Sequence, residues 1–503
     1  MSLTSSRFFL FLLVTVILFY ILKPVQKYVL LAASLFFYLA ISPGSKASLC
    51  IIIALIGLVT YISTNLMERL QGKLKGTVAF LSIASLIVSL FMFKLAYNVV
   101  NAFTPILHLN SDFSWLQFGA VVGLSYYTLT AIGYIVDVYW GTVKASRNIA
   151  EVFLFIFFFP QLISGPITRF GEMREQFAAR HSFDMDRFMF GVRRMAWGYF
   201  KKLVISERFG MVVDTVFTYY TDFSLTNVIV AALCYSVQLY TDFSGCMDII
   251  MGAAMLLGIE LPDNFNAPFF SESVQEFWQR WHITLGTWFK DYVMYPLQKS
   301  KLMQSIGKRA KKVFGKKPAK KIPFYLSLAV LWCLIGLWHG GTLYYFIGSG
   351  VLPGSILILS DLCQPLLAKL TKGLHIDTGR ASWRWFRRVR TIFLISMCWM
   401  VLCSNGTRNY IDIVKHSLSM PINYASFNDI IELIKLSNMD ILLMAVGVVV
   451  LFLAEVCAFK GKSIHKVLDE QNYLIKVGVV YAEIITIMMY GLVGSSSFIY
   501  FQF

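Results

Sequence analysis

IPFYLSLAVLWCLIGLWHGGTLYYFIGSGVLPGSILILS, Ile322–Ser360, runs for 39 residues without an Asp, Glu, Lys or Arg. A membrane-spanning helix needs about 20 predominantly apolar residues, so this run holds more than one span's worth. The pattern repeats toward the N-terminus in Phe8–Leu22, Tyr28–Gly44, Ala47–Met67 and Gly76–Phe93. Over all 503 residues, 57% are hydrophobic and only 15% charged, against roughly 25% charged in an ordinary soluble domain. A soluble core has no room for that much apolar surface. The reading is an all-α polytopic integral membrane protein with about 11–13 membrane segments, some of them re-entrant. Phe8–Leu22 is short for a span. No A-x-A cleavage signal follows it and a second apolar run begins within a few residues, so it reads as a retained signal anchor. No sequence repeat or low-complexity linker divides the chain, and 1–503 is expected to be a single membrane domain.

The net charge of +17 would suggest nucleic acid in a soluble protein. Here the Lys and Arg residues fall in short loops: Lys23 and Lys27, then Lys73 and Lys75, then Lys144 and Arg147. Asn98–Leu116 has none. That is the positive-inside pattern. It puts those loops in the cytoplasm and the N-terminus outside, in a multi-pass protein of the cell membrane whose partner is the lipid bilayer and not nucleic acid. Lys299–Lys321, with ten Lys and Arg and no acid, reads as the largest cytoplasmic loop. Anionic lipid or an acidic carrier protein is the other reading of that loop. Lys369–Arg390 is also basic. With Trp383 and Trp385 it reads as a stretch lying along a membrane surface. The eight cysteines sit in or beside apolar runs without C-x-x-C spacing. They read as small buried hydrophobes, with no disulfide or metal framework.

Two segments are too polar to be plain anchors. Asn227–Glu260 is long for one span and carries Tyr235, Gln238 and Asp242 on one helical face. An ionisable group at membrane depth usually faces a cavity or a partner. The alternative is a buried Asp242 capping a helix broken at Ser244-Gly245. The second segment, SESVQEFWQRWHITLGTWFKDYVMYP (Ser271–Pro296), opens on the capping-box pair Ser273 and Glu276. It continues with the stripe Phe277, Trp281, Leu285 and Trp288. It reads as one amphipathic helix in the interface, with Trp278 and His282 as i, i+4 neighbours.

Of seven histidines, His108, His181, His375, His416 and His465 stand in polar or loop-like contexts. His282 and His339 do not. From Pro323 to His339 is about 24 Å of helix, which carries His339 well into a bilayer. Gly340 and Gly341 then allow the helix to break. Each imidazole has two readings. One is a neutral packing or hydrogen-bonding group. The other is a general base that takes a hydroxyl proton near neutral pH. Acyl transfer from a thioester to an alcohol needs that proton movement, positioning and carbonyl polarisation. No G-x-S-x-G, H-E-x-x-H or complete P-loop competes. In the last, Val456 stands where the first glycine should be.

These residues resemble the membrane-bound O-acyltransferase family, in its bacterial alginate O-acetyltransferase type. The resemblance rests on YTDFSG (Tyr240–Gly245), PDNFNAPF (Pro262–Phe269), SVQEFWQRWHITLGTWFKDYVMYPL (Ser273–Leu297) and GLWHG (Gly336–Gly340). GLSYYTLTAIGYIVDVYWG (Gly123–Gly141), FFPQLISGPITRF (Phe158–Phe170) and FIYFQF (Phe498–Phe503) match more weakly. It implies a ring of tilted helices around a central channel, with His339 catalytic and His282 the second functional histidine. Asp242, Gln238, Asn264, Asn266, Trp278, Trp281 and Trp338 become candidates for lining the channel or supporting the histidines. The implied donor is a cytoplasmic thioester, acetyl-CoA or an acyl carrier protein, with no cofactor held permanently and no metal. The implied acceptor is an extracellular polysaccharide, reached directly or through a secreted or membrane-anchored acyltransferase. A sister branch of the family moves D-alanine toward teichoic acid from a carrier protein. It shares NFN and both histidine motifs. Gln298-Lys299-Ser300 stands where that resemblance leads one to expect a glycine-rich continuation. From outside the family, a transporter is the competing class, and a scaffold that docks a secreted acyltransferase is a third reading.

Overall fold

Short-range signals set where many of the helices begin. Ser5 accepts from the Phe8 amide at 3.3 Å to start α1 (Ser6–Ile21). A 3-10 turn containing Pro24 leads into α2 (Gln26–Ile41). α3 (Lys46–Arg69) and α4 (Gly72–Leu90) follow, then α5 (Leu124–Trp140). Asn148 accepts from Ala150 N at 3.0 Å to open α6 (Ile149–Phe157), which precedes α7 (Phe170–Ala178) and α8 (Met185–Tyr199). The structure is a computed structural model that describes residues 1–41, 46–95, 122–340, 342–404, 406–419, 431–432, 434–493 and 498–499. The chain forms two compact units. One comprises Met1–Tyr199, Gly245–Asp263 and Val493–Phe503. The other comprises Phe200–Ser244 and Asn264–Leu492.

In the first unit α5 is buried on nearly every side, from Leu124 to Val138. Its buried residues are mostly apolar or aromatic, with Ser125, Thr128, Thr130 and Asp137 among them. Aromatic contacts close the unit: Phe11, Phe37 and Phe159 lie with ring centroids 5.1–5.6 Å apart, and the Tyr38 and Tyr127 hydroxyls meet at 3.0 Å. Where α8 passes residues 245–252, a Cβ on Gly198 would stand 2.6 Å from the Gly245 carbonyl oxygen. Only glycine permits that approach. The basic loops converge at one end of the unit. Lys27 and Arg174 both reach Glu151 (3.5 and 3.7 Å), Ala145 N donates to Glu68, and Tyr61 and Asn65 donate to the carbonyls of Arg147 and Ser146 at 2.9 Å.

The second unit opens on a π-helix, Phe200–Ser206, and α9 (Glu207–Thr218). α10 (Leu225–Leu256) is a single 32-residue helix whose last turns belong to the first unit. It does not break at Ser244-Gly245. α11 (Val274–Arg280), α12 (Ile283–Phe289), α13 (Lys301–Phe314) and α14 (Lys316–His339) come next. After them come α15 (Leu352–Gly373), α16 (Ala381–Cys403), α17 (Asn438–Phe459) and α18 (Tyr473–Tyr490). The basic stretch 299–321 is therefore helical, forming α13 and the first turns of α14. α14 packs on a π-helical turn, Ile347–Val351, through glycines: a Cβ on Gly336 would meet the Phe346 carbonyl oxygen at 2.8 Å, and one on Gly350 would meet that of Trp332 at 2.8 Å.

Seven stretches among the described residues are long and apolar enough to cross a membrane: Lys23–Ile41, Leu49–Arg69, Gly72–Phe93, Ala319–His339, Leu343–Gly373, Asn438–Phe459 and Tyr473–Tyr490. α1 is apolar but shorter. The chain is an all-α, multi-span membrane protein. The expected 11–13 segments outnumber these seven; Asn98–Leu116 (with His108), Gly341 and most of Phe498–Phe503 fall outside the described residues. α10 is long enough to span but carries polar residues in its middle.

Candidate active site

His282 does not sit inside a helix. The expected single helix from Ser273 is interrupted. α11 ends at Arg280, Trp281 is extended, and His282 takes φ 47° and ψ 51°, the left-handed region, before α12 begins. Non-glycine residues there cost roughly 1–2 kcal/mol each and persist only where their surroundings hold them. The holder is the NFN segment. Asn266 N donates to Arg280 O, and Arg280 Nη1 donates back to Asn266 O, both at 3.0 Å. A short antiparallel bridge pairs Phe265 with Trp281. Ile283 N donates to Asn264 O at 3.0 Å. The buried Asn264 carboxamide oxygen accepts from both Thr284 N (3.1 Å) and Thr284 Oγ1 (2.7 Å). Five hydrogen bonds thus bracket His282 on both sides. Only half of the capping box forms. Ser273 accepts from Glu276 N, while Glu276 Oε2 takes the amide of Glu272.

His339 is the last residue of α14, and Gly340 follows in extended backbone. The helix stops where the Gly-Gly pair implies. Both imidazoles are buried, at 4% and 9% exposure. Both meet the indole of Trp338, whose ring is 6.3 Å from that of His282 and 5.0 Å from that of His339. The ring of Phe243 of α10 also meets that of His282, edge-on at 4.8 Å. His282 lies outside the seven apolar spans. Burial first, and then the charge of His339, hold its imidazole well below the usual histidine range. The two rings therefore sense each other. A buried imidazole held neutral accepts a proton or a hydrogen bond without first losing one.

The remaining candidates divide. Trp281 is enclosed by Phe277, Phe265 and Trp399 (5.5, 5.0 and 4.8 Å). Trp278 is not an i, i+4 neighbour of His282, because its helix ends first. Its ring meets Trp332 at 4.9 Å. Asn266 contributes backbone, its side chain being exposed. Gln238 packs against Gly210 of α9. Asp242 is wholly buried and ion-paired with Lys202 at 2.6 Å, and Lys202 also reaches Glu207 at 2.6 Å. Asp242 is the chain neighbour of Phe243, whose ring meets that of His282.

Sequence reasoning missed Lys202, Glu207, Phe243, Thr284 and Trp399. Phe243 and Thr284 lie within quoted motifs but were not singled out, and Lys201-Lys202 left a signal as two charges inside the otherwise apolar run GYFKKLVIS. Tyr240, whose hydroxyl donates to the buried Glu455 of α17, was likewise beyond periodicity. Among the described residues no three His, Cys, Asp or Glu converge as metal ligands would.

The family model of the membrane-bound O-acyltransferases matches residues 145–308. That range takes in the NFN segment and His282 and ends before Trp338 and His339. The chain is 32% identical over 285 residues to a probable alginate O-acetylase of Pseudomonas syringae pv. tomato (57% of this chain, 49% of the relative). It is 31% identical over 273 residues to a peptidoglycan O-acetyltransferase of Helicobacter pylori (49% and 48%). It is 30% identical over 234 residues to a teichoic acid D-alanyltransferase of Bacillus subtilis (45% and 55%). The chain spans about half the length of the curated relatives it matches. Residues 145–308, with the backbone that shapes the His282 turn, are a domain of the membrane-bound O-acyltransferase family.

Proposed function

We propose that this protein is a bacterial cell-membrane O-acyltransferase that moves an acetyl group from a cytoplasmic thioester to a hydroxyl of an extracellular cell-envelope polysaccharide. The observation that carries the reading is that His282 and His339, 57 residues apart in sequence, are both buried and both meet the ring of Trp338. His339 takes the proton of the acceptor hydroxyl as its oxygen attacks the thioester carbonyl. The tetrahedral intermediate collapses with loss of the thiolate, and the imidazolium returns the proton to that sulfur. His282, fixed by the Asn264 and Asn266 contacts, hydrogen-bonds the donor carbonyl or relays the proton. Trp278, Trp281 and Trp338 line the way to the histidines, and Asp242 holds the Phe243 wall. The polysaccharide is reached directly or through a secreted or membrane-anchored acyltransferase partner.

The test is thiol release from acetyl-CoA by the purified chain in lipid nanodiscs, with oligosaccharide acceptor. His339→Ala should lower kcat by about 10²–10⁴-fold, the usual contribution of a general base, with expression and melting unchanged. Full activity in that variant removes the assignment. A scaffold that only docks another transferase predicts product with both histidines replaced. The similarity to the D-alanyltransferase supports a second reading, D-alanyl transfer from a carrier protein to teichoic acid. Consumption of a D-alanyl carrier thioester in place of acetyl-CoA would select it.

A further inference from the structure

Arginine gathers at the far end of α11 from His282. Glu272, just ahead of that helix, accepts from Arg384 Nε at 2.7 Å. It lies 3.2 Å from Arg387 Nη1 and 3.6 Å from Arg388 Nη2. Arg390 Nη2 donates to its backbone carbonyl at 3.0 Å. All four arginines project from the first three turns of α16. One carboxylate offers about four acceptor positions, whereas four guanidinium groups carry about twenty N–H donors. Glu276, the next acid along, is engaged with Arg280 at 3.0 Å. The cluster is graded in depth: the side chains of Arg384 and Arg387 are 49% and 35% exposed, and that of Arg388 is 9% exposed. Arg388 is fixed at the base by the rings of Trp385, Phe459 and Phe270 at 4.8–5.2 Å. The Nε donors of Arg388 and Arg390 are buried with no hydrogen-bond partner among the described residues. Buried donors of this kind are costly unless a ligand completes them.

We infer that Arg384, Arg387, Arg388 and Arg390 form a phosphate-binding site that takes the phosphate groups of the thioester donor. Guanidinium forks suit phosphate oxygens because they donate in pairs to a planar face. The site stands one seven-residue helix, about 10 Å, from the turn that carries His282. A donor whose phosphates are joined to its thioester by a flexible arm spans that interval, anchored at α16 with its acyl carbon near the histidines. This inference rests on the acyl-transfer reading. It supplies what that reading lacks, a place where the charged part of the donor is held.

The test compares acetyl-CoA with S-acetylpantetheine, the same thioester without phosphates, on the full chain in phosphatidylcholine nanodiscs. For the wild type, kcat/KM should favour acetyl-CoA. In Arg384→Gln/Arg387→Gln that preference should fall by at least about tenfold, as expected for lost charge-assisted hydrogen bonds, mainly through KM. Arg384→Lys/Arg387→Lys should restore part of it. A merely structural role would lower both donors alike and leave the preference unchanged, and that result overturns the site. If the wild type turns over neither thioester, the acetyl-transfer reading fails on its own. Calorimetric titration with CoA then decides the site: binding in the wild type and at least tenfold weaker binding in the double Gln variant support it, and equal binding overturns it. A lipid headgroup could bring the same chemistry. If the wild type retains phosphatidylglycerol through purification, the Gln variant loses it, and CoA binding is equal in both, the arginines serve a lipid and the donor site is overturned.

Discussion

His282 holds a backbone conformation that histidine does not prefer, and the neighbouring sequence accounts for it. Asn264, Asn266 and Thr284 hold the turn, so the strain lies where the imidazole must be aimed. His282→Gly and His282→Ala should both lose acyl transfer. The glycine variant should be the more stable by about 1 kcal/mol, since it meets no Cβ penalty in the left-handed region. Thermal unfolding of the two in detergent checks this, and equal melting points would contradict it. Thr284→Val removes one of the two donors to Asn264. It should cost about 1 kcal/mol and lower kcat more than it raises KM, measured by initial rates at varied thioester. Both histidines stood out in the sequence, His339 in a run of 39 residues without Asp, Glu, Lys or Arg and His282 beside the aromatic stripe of Phe277, Trp281 and Trp288. The left-handed turn did not. Its cause is a pairing with a segment about 16 residues upstream, and helical periodicity carries no trace of that.

At the scale of helices, α10 delivers two things to the second unit from adjacent residues: Phe243 against His282, and Asp242 into the pair with Lys202 and Glu207. Removing one member of a buried ionic group strands the others and typically costs 3–5 kcal/mol. Lys202→Met should therefore reduce folded yield and melting temperature sharply. Lys202→Met with Asp242→Leu and Glu207→Gln should recover most of the loss, read by size-exclusion profile and thermal melt. A harmless single substitution would show that the group is not a structural hub. The face shared by Tyr235, Gln238 and Asp242 could be read from the spacing alone. What it faced could not, because Lys202 comes from a π-helix that no simple period announces. The seam between α14 and Ile347–Val351 admits no side chain at Gly350. Gly350→Val should overpack it by about 1–3 kcal/mol and displace the α14 terminus that carries His339, lowering activity with the fold retained.

For the molecule as a whole, hydropathy and charge were the readable quantities. The second, third and fourth apolar runs from the N-terminus and Ile322–Ser360 reappear in helices long enough to span, while Phe8–Leu22 falls in the shorter helix α1. The loops bearing Lys27 and Arg147 meet at one end of the first unit, joined through Glu151 and the contacts of Tyr61 and Asn65. A cysteine introduced at Lys73 should react with an impermeant maleimide only after the cytoplasmic face is opened. Labelling in intact cells would reverse the topology. Partition into two compact units was invisible in the sequence, because the boundary cuts through α10 and not through any linker. Two histidines that share one site act together on the same substrate. Initial rates of acyl transfer for His282→Ala, His339→Ala and the double variant measure that. Groups acting as one unit are strongly non-additive, so the double variant should be no slower than the slower single variant. Losses that multiply, or full activity in either single variant, would contradict a shared site.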